Sequence, residues 1–322
     1  MTAHPFHAGE IAVQERAGVR ERVAEMGPRM IRDAMPEQHR ELFGKLPMML
    51  VGSLDAQGRP WSSVVAGRPG FIHAPDAQHL RFDTLPAAGD PLARQLSVGA
   101  PLGLLGIEPH TRRRNRMNGT VAALDERGFT VAVDQSFGNC PQYIQARQPS
   151  WADAPPAPPQ ALGVSLSPRA IGLIRRSDTL FIATAAAQPR GHDGANGVDV
   201  SHRGGRPGFV RVDADSATSL ATLTVPDFRG NNMFNTLGNI TANPQAGLLF
   251  FDPATGDVLQ LTTRAQIVWD GPELASFEGA QRLLRLHVHE ALWRPGAMPL
   301  RWSEAQLAPQ LAATGTWHGV GA

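Results

Sequence analysis

Gly67-Arg68-Pro69-Gly70-Phe71 recurs letter for letter as Gly205-Arg206-Pro207-Gly208-Phe209. A second pair follows in the same order. Gly103-Leu104-Leu105 runs on to Glu108-Pro109, and Gly247-Leu248-Leu249 runs on to Asp252-Pro253. Self-similarity at a period far longer than a solenoid repeat implies one small domain used twice. The chain has 322 residues, which suits two domains at roughly 100–200 residues each.

Working outward, residues 10–45 read as helical. Glu10 to Met26 forms a first helix, Gly27-Pro28 breaks it, and Pro36 opens a second through Leu46. Met48 to Leu54, a turn at Asp55 to Gly58 and Trp61 to Ala66 make a β-hairpin signature. Short apolar runs with turn signals continue through both copies, each with a short helix inserted late. That pattern predicts a mainly β (α+β) chain of two tandem barrel-like units. The boundaries read as a helical arm over 1–46, a first unit over 47–150, a Pro/Ala-rich linker over 151–166 and a second unit over 167–322.

Hydrophobic residues make up 42% of the chain and charged residues 18%, as in a globular protein with a core. A net charge of +1 gives no reason to expect nucleic acid or an acidic membrane as partner. Cys140 is the one cysteine, so no intrachain disulfide is possible. With no signal pattern over Met1 to Gly9 and no membrane-length apolar run, a cytoplasmic location is expected.

The two copies differ where chemistry would sit. Aligned on the repeated string, Ser201 falls on Ser63 and Arg203 on Val65. The second copy also carries six extra residues before its Gly-Leu-Leu, around Asp227-Phe228-Arg229-Gly230-Asn231-Asn232-Met233-Phe234. Arginine and glycine leading into a pair of asparagines before a helix suit an anion, because first-turn N–H groups lack partners. The first copy has Asp90-Pro91 near that place, and a carboxylate there repels an anion. The expectation is that the second copy binds an anionic ligand and the first does not. The alternative is that Asn231 only caps a helix.

This layout resembles the pyridoxamine 5'-phosphate oxidase-like FMN-binding split barrels. The resemblance rests on Thr236-Leu237-Gly238-Asn239-Ile240 with Asn243-Pro244 and Gly247-Leu248-Leu249-Phe250. The first copy's Ser136-Phe137-Gly138-Asn139-Cys140-Pro141-Gln142-Tyr143-Ile144 is similar to a signature of the branch of flavin-nucleotide-binding proteins. The resemblance implies two barrels side by side with FMN in the groove between them, either within one chain or in a homodimer. It implies that Ser201, His202 and Arg203 line the flavin, with Thr224 in the same cofactor set. Arg229, Gly230, Asn231, Asn232 and Thr236 hold the phosphate. Arg-Gly-Asn-Asn replaces the Ser-Arg-Lys of the vitamin B6 oxidases. The implied activity is a flavin-dependent oxidation or reduction of a small molecule, with His202 the candidate catalytic group and a separate electron donor a candidate partner. Haem, a deazaflavin, or a non-catalytic flavin carrier or redox sensor are the alternatives.

His287 and His289 share a strand face, but Leu283 to Leu292 also reads as a helix, and no third metal ligand is near. Haem would use one of these histidines as axial ligand. Arg112, Arg114 and Arg116 share a face and either reach the groove or coat an edge strand. Cys140 reads as a packed corner. Pro299 to Trp302 either covers a bound ring or pins the tail.

Overall fold

The computed structural model describes residues 5–152, 155–187, 195–214 and 220–317. Part of the N-terminal stretch, Asp153 and Ala154 of the Pro/Ala stretch, and the end of the C-terminal tail lie outside these. The arm comprises helices α1 (Ala8–Arg16), α2 (Arg20–Met30) and α3 (Glu37–Lys45). Strands β1 (Met48–Leu54), β2 (Pro60–Ala66), β3 (Ile72–His73) and β4 (His79–Phe82) come next. Helix α4 (Pro91–Gln95) leads to β5 (Pro101–Glu108), β6 (Arg113–Asp125) and β7 (Gly128–Gly138). Strands β8 (Pro149–Trp151) and β9 (Gln160–Gly163) precede helix α5 (Pro168–Arg176). The second set is β10 (Thr179–Ala185), β11 (Val198–Gly204), β12 (Arg211–Ala214) and β13 (Ala221–Asp227). It continues with α6 (Asn235–Ala242), β14 (Gln245–Phe251), β15 (Val258–Val268), α7 (Pro272–Ala275), β16 (Arg282–Arg294) and β17 (Leu300–Trp302).

The first sheet runs β2-β1-β5-β6-β7-β4-β3 and the second β11-β10-β14-β15-β16-β13-β12. Element for element these are one topology, so the chain is two tandem split barrels. The repeated pentapeptide builds the same turn twice. Gly67 N–H donates to Pro47 O and Gly205 N–H to Asp178 O, while Phe71 and Phe209 close back onto Arg68 and Arg206. Gly70 and Gly208 sit at φ +98° and +86°, where a side chain is strained. Each barrel has its own apolar core, with Phe82, Phe129 and Met117 in the first and Phe209, Phe250 and Leu261 in the second.

The barrels pair within one chain, back to back. The second repeated motif explains how. A Cβ on Gly103 of β5 would lie 2.4 Å from Val198 O of β11, and one on Gly247 of β14 would lie 2.5 Å from Pro60 O of β2. Each unit's Gly-Leu-Leu strand thus lets the other unit's second strand approach to backbone contact.

Three local expectations are corrected. The arm breaks at Gly18 (φ +68°), not at Gly27-Pro28, which lie inside α2. Gly27 instead makes room for the Phe6 ring. Residues 160–163, read as linker, pair with β16. Leu283 to Leu292 is strand, paired on both sides by β15 and β13. No helix among the described residues is long and apolar enough to cross a membrane.

Candidate functional site

A cleft of about 120 Å³ lies where β6 of the first unit faces β11 and the start of α6 of the second. Four arginines line it: Arg114, Arg116, Arg203 and Arg229. Burying cations requires partners; two of the four pair with carboxylates, and Arg229 is exposed to solvent. Arg116 pairs with Asp199 at 3.0 Å, and Arg203 pairs with Asp227, which also receives Arg282 Nε at 2.9 Å. Arg114 donates only to neutral groups, to Cys140 O at 2.8 Å and to His202 Nδ1 at 3.0 Å. Burial pulls its guanidinium down to about 10, with Arg116 and Arg203 adding to the effect. Among the described residues neither Arg114 nor Arg229 has a carboxylate partner. The cleft therefore carries uncompensated positive charge.

Its far end is the start of α6. Phe234 is the N-cap and no side chain caps the helix, so its first N–H groups have no side-chain acceptor. Asn231 does not cap it. Its Oδ1 accepts from Met233 N–H at 3.1 Å, and the helix begins only at Asn235. Thr236 Oγ1 donates to Ser201 Oγ at 3.0 Å, while Asn235 Oδ1 accepts from Arg116 Nη1 at 2.9 Å. Tyr143, Asn232 and Phe234, all at the cleft, are three of the four non-glycine residues with positive φ among the described residues. Such strain persists where surrounding structure enforces it and concentrates at functional sites.

The equivalent place in the other half is closed. Gln260 stands where Arg116 stands, and its Nε2 donates to Ser62 O at 2.9 Å and Ser63 Oγ at 3.1 Å. Asp90 caps α4 by accepting from Leu92 N–H at 2.9 Å, and it pairs with buried Arg294 at 2.5 Å. The protein's own carboxylate occupies the helix start that an anion would take.

Residues 35–162 match the family model described as pyridoxamine 5'-phosphate oxidase. The first unit is thus similar to the pyridoxamine 5'-phosphate oxidase family. No curated protein matches. Among solved structures, a pyridoxamine 5'-phosphate oxidase-related, FMN-binding protein of Nostoc punctiforme is 12% identical, covering 45% of this chain and 99% of that one, at TM-score 0.28. The HupZ protein of Group A Streptococcus is 15% identical, covering 39% and 91%, at TM-score 0.29. The match to the pyridoxamine 5'-phosphate oxidase-like family falls on the first unit, yet the open helix start belongs to the second, so the cleft needs both.

The structure brings Ser201, His202, Arg203, Arg229, Gly230, Asn231, Asn232 and Thr236 to this cleft. Thr224 is not with them: it is fully buried on β13, with Arg211 Nη2 at 3.5 Å from its hydroxyl. The resemblance placed it in the cofactor set, but it does not line the cleft. Arg114 and Arg116 reach the cleft from a central strand, not an edge, while Arg112 turns to Ile144 O. Asn235, Asp199 and Glu10 were not singled out by sequence. Glu10 of α1 accepts from Asn235 Nδ2 beneath the cleft, and burial beside Asp199 raises its carboxyl to about 8. His287 and His289 line neither the cleft nor its neighbourhood, and no group of three metal-ligating side chains occurs among the described residues. Trp302 lies outside the cleft, stacked on Phe251 at 5.9 Å.

Proposed function

We propose that the cleft binds FMN and that the protein is a flavin-dependent oxidoreductase acting on a small molecule. The observation that carries this reading is the unpaired cationic cleft ending on an uncapped helix start, set against a carboxylate-filled counterpart. An anionic phosphate answers both deficits. Buried polar atoms without partners fit the same occupant: Arg116 Nε, Arg203 Nε and Asn139 Oδ1 all belong to cleft-lining residues. Arg229, Asn232, Thr236 and the first N–H groups of α6 would hold the phosphate. Arg114, His202 and Asn139 would meet the ring end.

FMN, when bound, supplies hydride and electron exchange. The chain's part is position and electrostatics. A guanidinium only donates, so His202 Nδ1 accepts from Arg114 and the ring proton sits on Nε2. Burial, with Arg114 and Arg203 beside it, holds His202 well below its ordinary value. It is a neutral N–H donor at physiological pH, suited to steadying an electron-rich atom.

The test is FMN affinity by fluorescence quenching for Arg229→Ala and Asn232→Ala. Losing one charge-assisted contact, at about 1.5–3 kcal/mol, predicts at least tenfold weaker binding for Arg229→Ala. Wild-type affinity in both variants would place the site elsewhere. Turnover with a reductant and an acceptor then separates an enzyme from a carrier.

A further inference from the structure

A second cavity lies on the seam between the barrels. It holds about 310 Å³ and touches the cleft only through His202, which lines both. Its walls include Met48, Ile107, Ile144, Phe181, Phe251 and Trp302. Both units contribute matching positions, with Ile107 the counterpart of Phe251 and Met48 of Thr179. The cavity thus straddles the axis that relates the two copies.

We infer that this chamber is a ligand site of its own, for an uncharged, flat aromatic molecule. Two observations carry the chemistry. The aromatic side chains are already aligned: Phe181 and Phe251 lie 6.1 Å apart at 17°, and Phe251 and Trp302 lie 5.9 Å apart at 28°. A planar guest extends that stack, because offset-parallel rings are a preferred arrangement. The charges on the lining are all taken. Arg147 pairs with Asp178 at 2.7 Å and Arg176 with Asp252 at 2.5 Å, and His202 is neutral. A charged guest gains no free partner there and loses its water. The volume falls at the lower end of the roughly 300–1,000 Å³ range of small-molecule pockets. This proposal does not depend on what the cleft binds.

The experiment is equilibrium dialysis of the full chain against 2-naphthol, with 2-naphthoate as the charged comparison. The expected result is saturable uptake of one 2-naphthol per chain, with 2-naphthoate at least tenfold weaker. Thr179→Phe fills the chamber from inside and should weaken 2-naphthol at least tenfold. Ala254→Trp, at the exposed rim, does the same without touching the core should Thr179→Phe not fold. Arg229→Ala, in the cleft, should leave uptake unchanged. No saturable uptake by the wild type, equal affinity for the two probes, or wild-type uptake by the folded filling variants would overturn the proposal.

Discussion

Arg116 shows how one side chain can belong to two structures. It leaves β6 of the first unit and ends among groups of the second: Asp199, Val200 O, Ser201 and Asn235. Its guanidinium also lies 5.3 Å over the Phe137 ring. Asp199 is held in turn by Asn118 at 2.7 Å and Asn239 at 2.8 Å. Truncating one member of a buried ion pair strands the other, at about 3–5 kcal/mol. Arg116→Ala should therefore lower the urea midpoint sharply as well as weaken FMN. If only FMN binding fell, the pair would have no structural role. At His202, an imidazole held neutral by burial and two cationic neighbours should show no protonation near pH 6.5. NMR shifts of its ring nitrogens between pH 5 and 8 would reveal it, and a titration near 6.5 would contradict the environment described. Both residues were visible in the sequence, yet only His202 was placed at the cleft for a definite role. Arg116 stood in a basic run that equally suited an edge strand. Its partner Asn235 is 119 positions away, and nothing local announces such a contact.

Among elements, α1 is the arm's contact with the site. Glu10 lies buried at its N-terminal end, bonded to Asn235 of α6. Its folded value of about 8 lies above the ordinary 4.5, so the folded state favours the protonated acid. That contribution is complete below about pH 4.5, falls as pH rises, and is gone above about 8. His39 works in the other direction. Burial lowers it from 6.5 to about 4, so its contribution is present above 6.5 and lost as pH falls through 4. The informative quantity is thus a difference: Glu10→Gln should gain stability relative to wild type between pH 5 and 9 in urea titrations. A constant difference would mean that Glu10 does not titrate in this range. The seam glycines make a second prediction. Gly247→Val puts atoms within 2.5 Å of Pro60 O and should open the seam, lowering the melting temperature by about 3 °C per 2 kcal/mol lost. The repeats revealed these glycines, but their purpose needed the partner unit. By contrast, β16 was ambiguous because Leu283 to Leu292 is apolar enough for either element. Pairing with β13 and β15 decided it.

At the scale of the molecule, two matching halves have diverged into one open cleft and one closed. Asp90, Arg294, Ser63 and Gln260 fill the second with a satisfied polar cluster. Asp90→Ala should destabilise the fold by about 3–5 kcal/mol, since it strands Arg294 and removes the cap of α4. A midpoint in urea unchanged from wild type would show that the pair is not needed. Titration of the apoprotein with FMN should end at one equivalent per chain, and two equivalents would contradict the closed counterpart. The sequence comparison anticipated this asymmetry from Arg203, the six-residue insert and Asp90. It did not reveal Arg294, whose position follows from strand register in the other unit.

Both walls of the open cleft come from a single polypeptide, and that frees the site from mass action. A site shared between separate subunits falls apart as protein becomes scarce, because each half must find the other. Here the halves stay at the high effective concentration that a covalent tether sets. Occupancy then depends on the ligand's abundance and not on how many copies of the protein the cell makes.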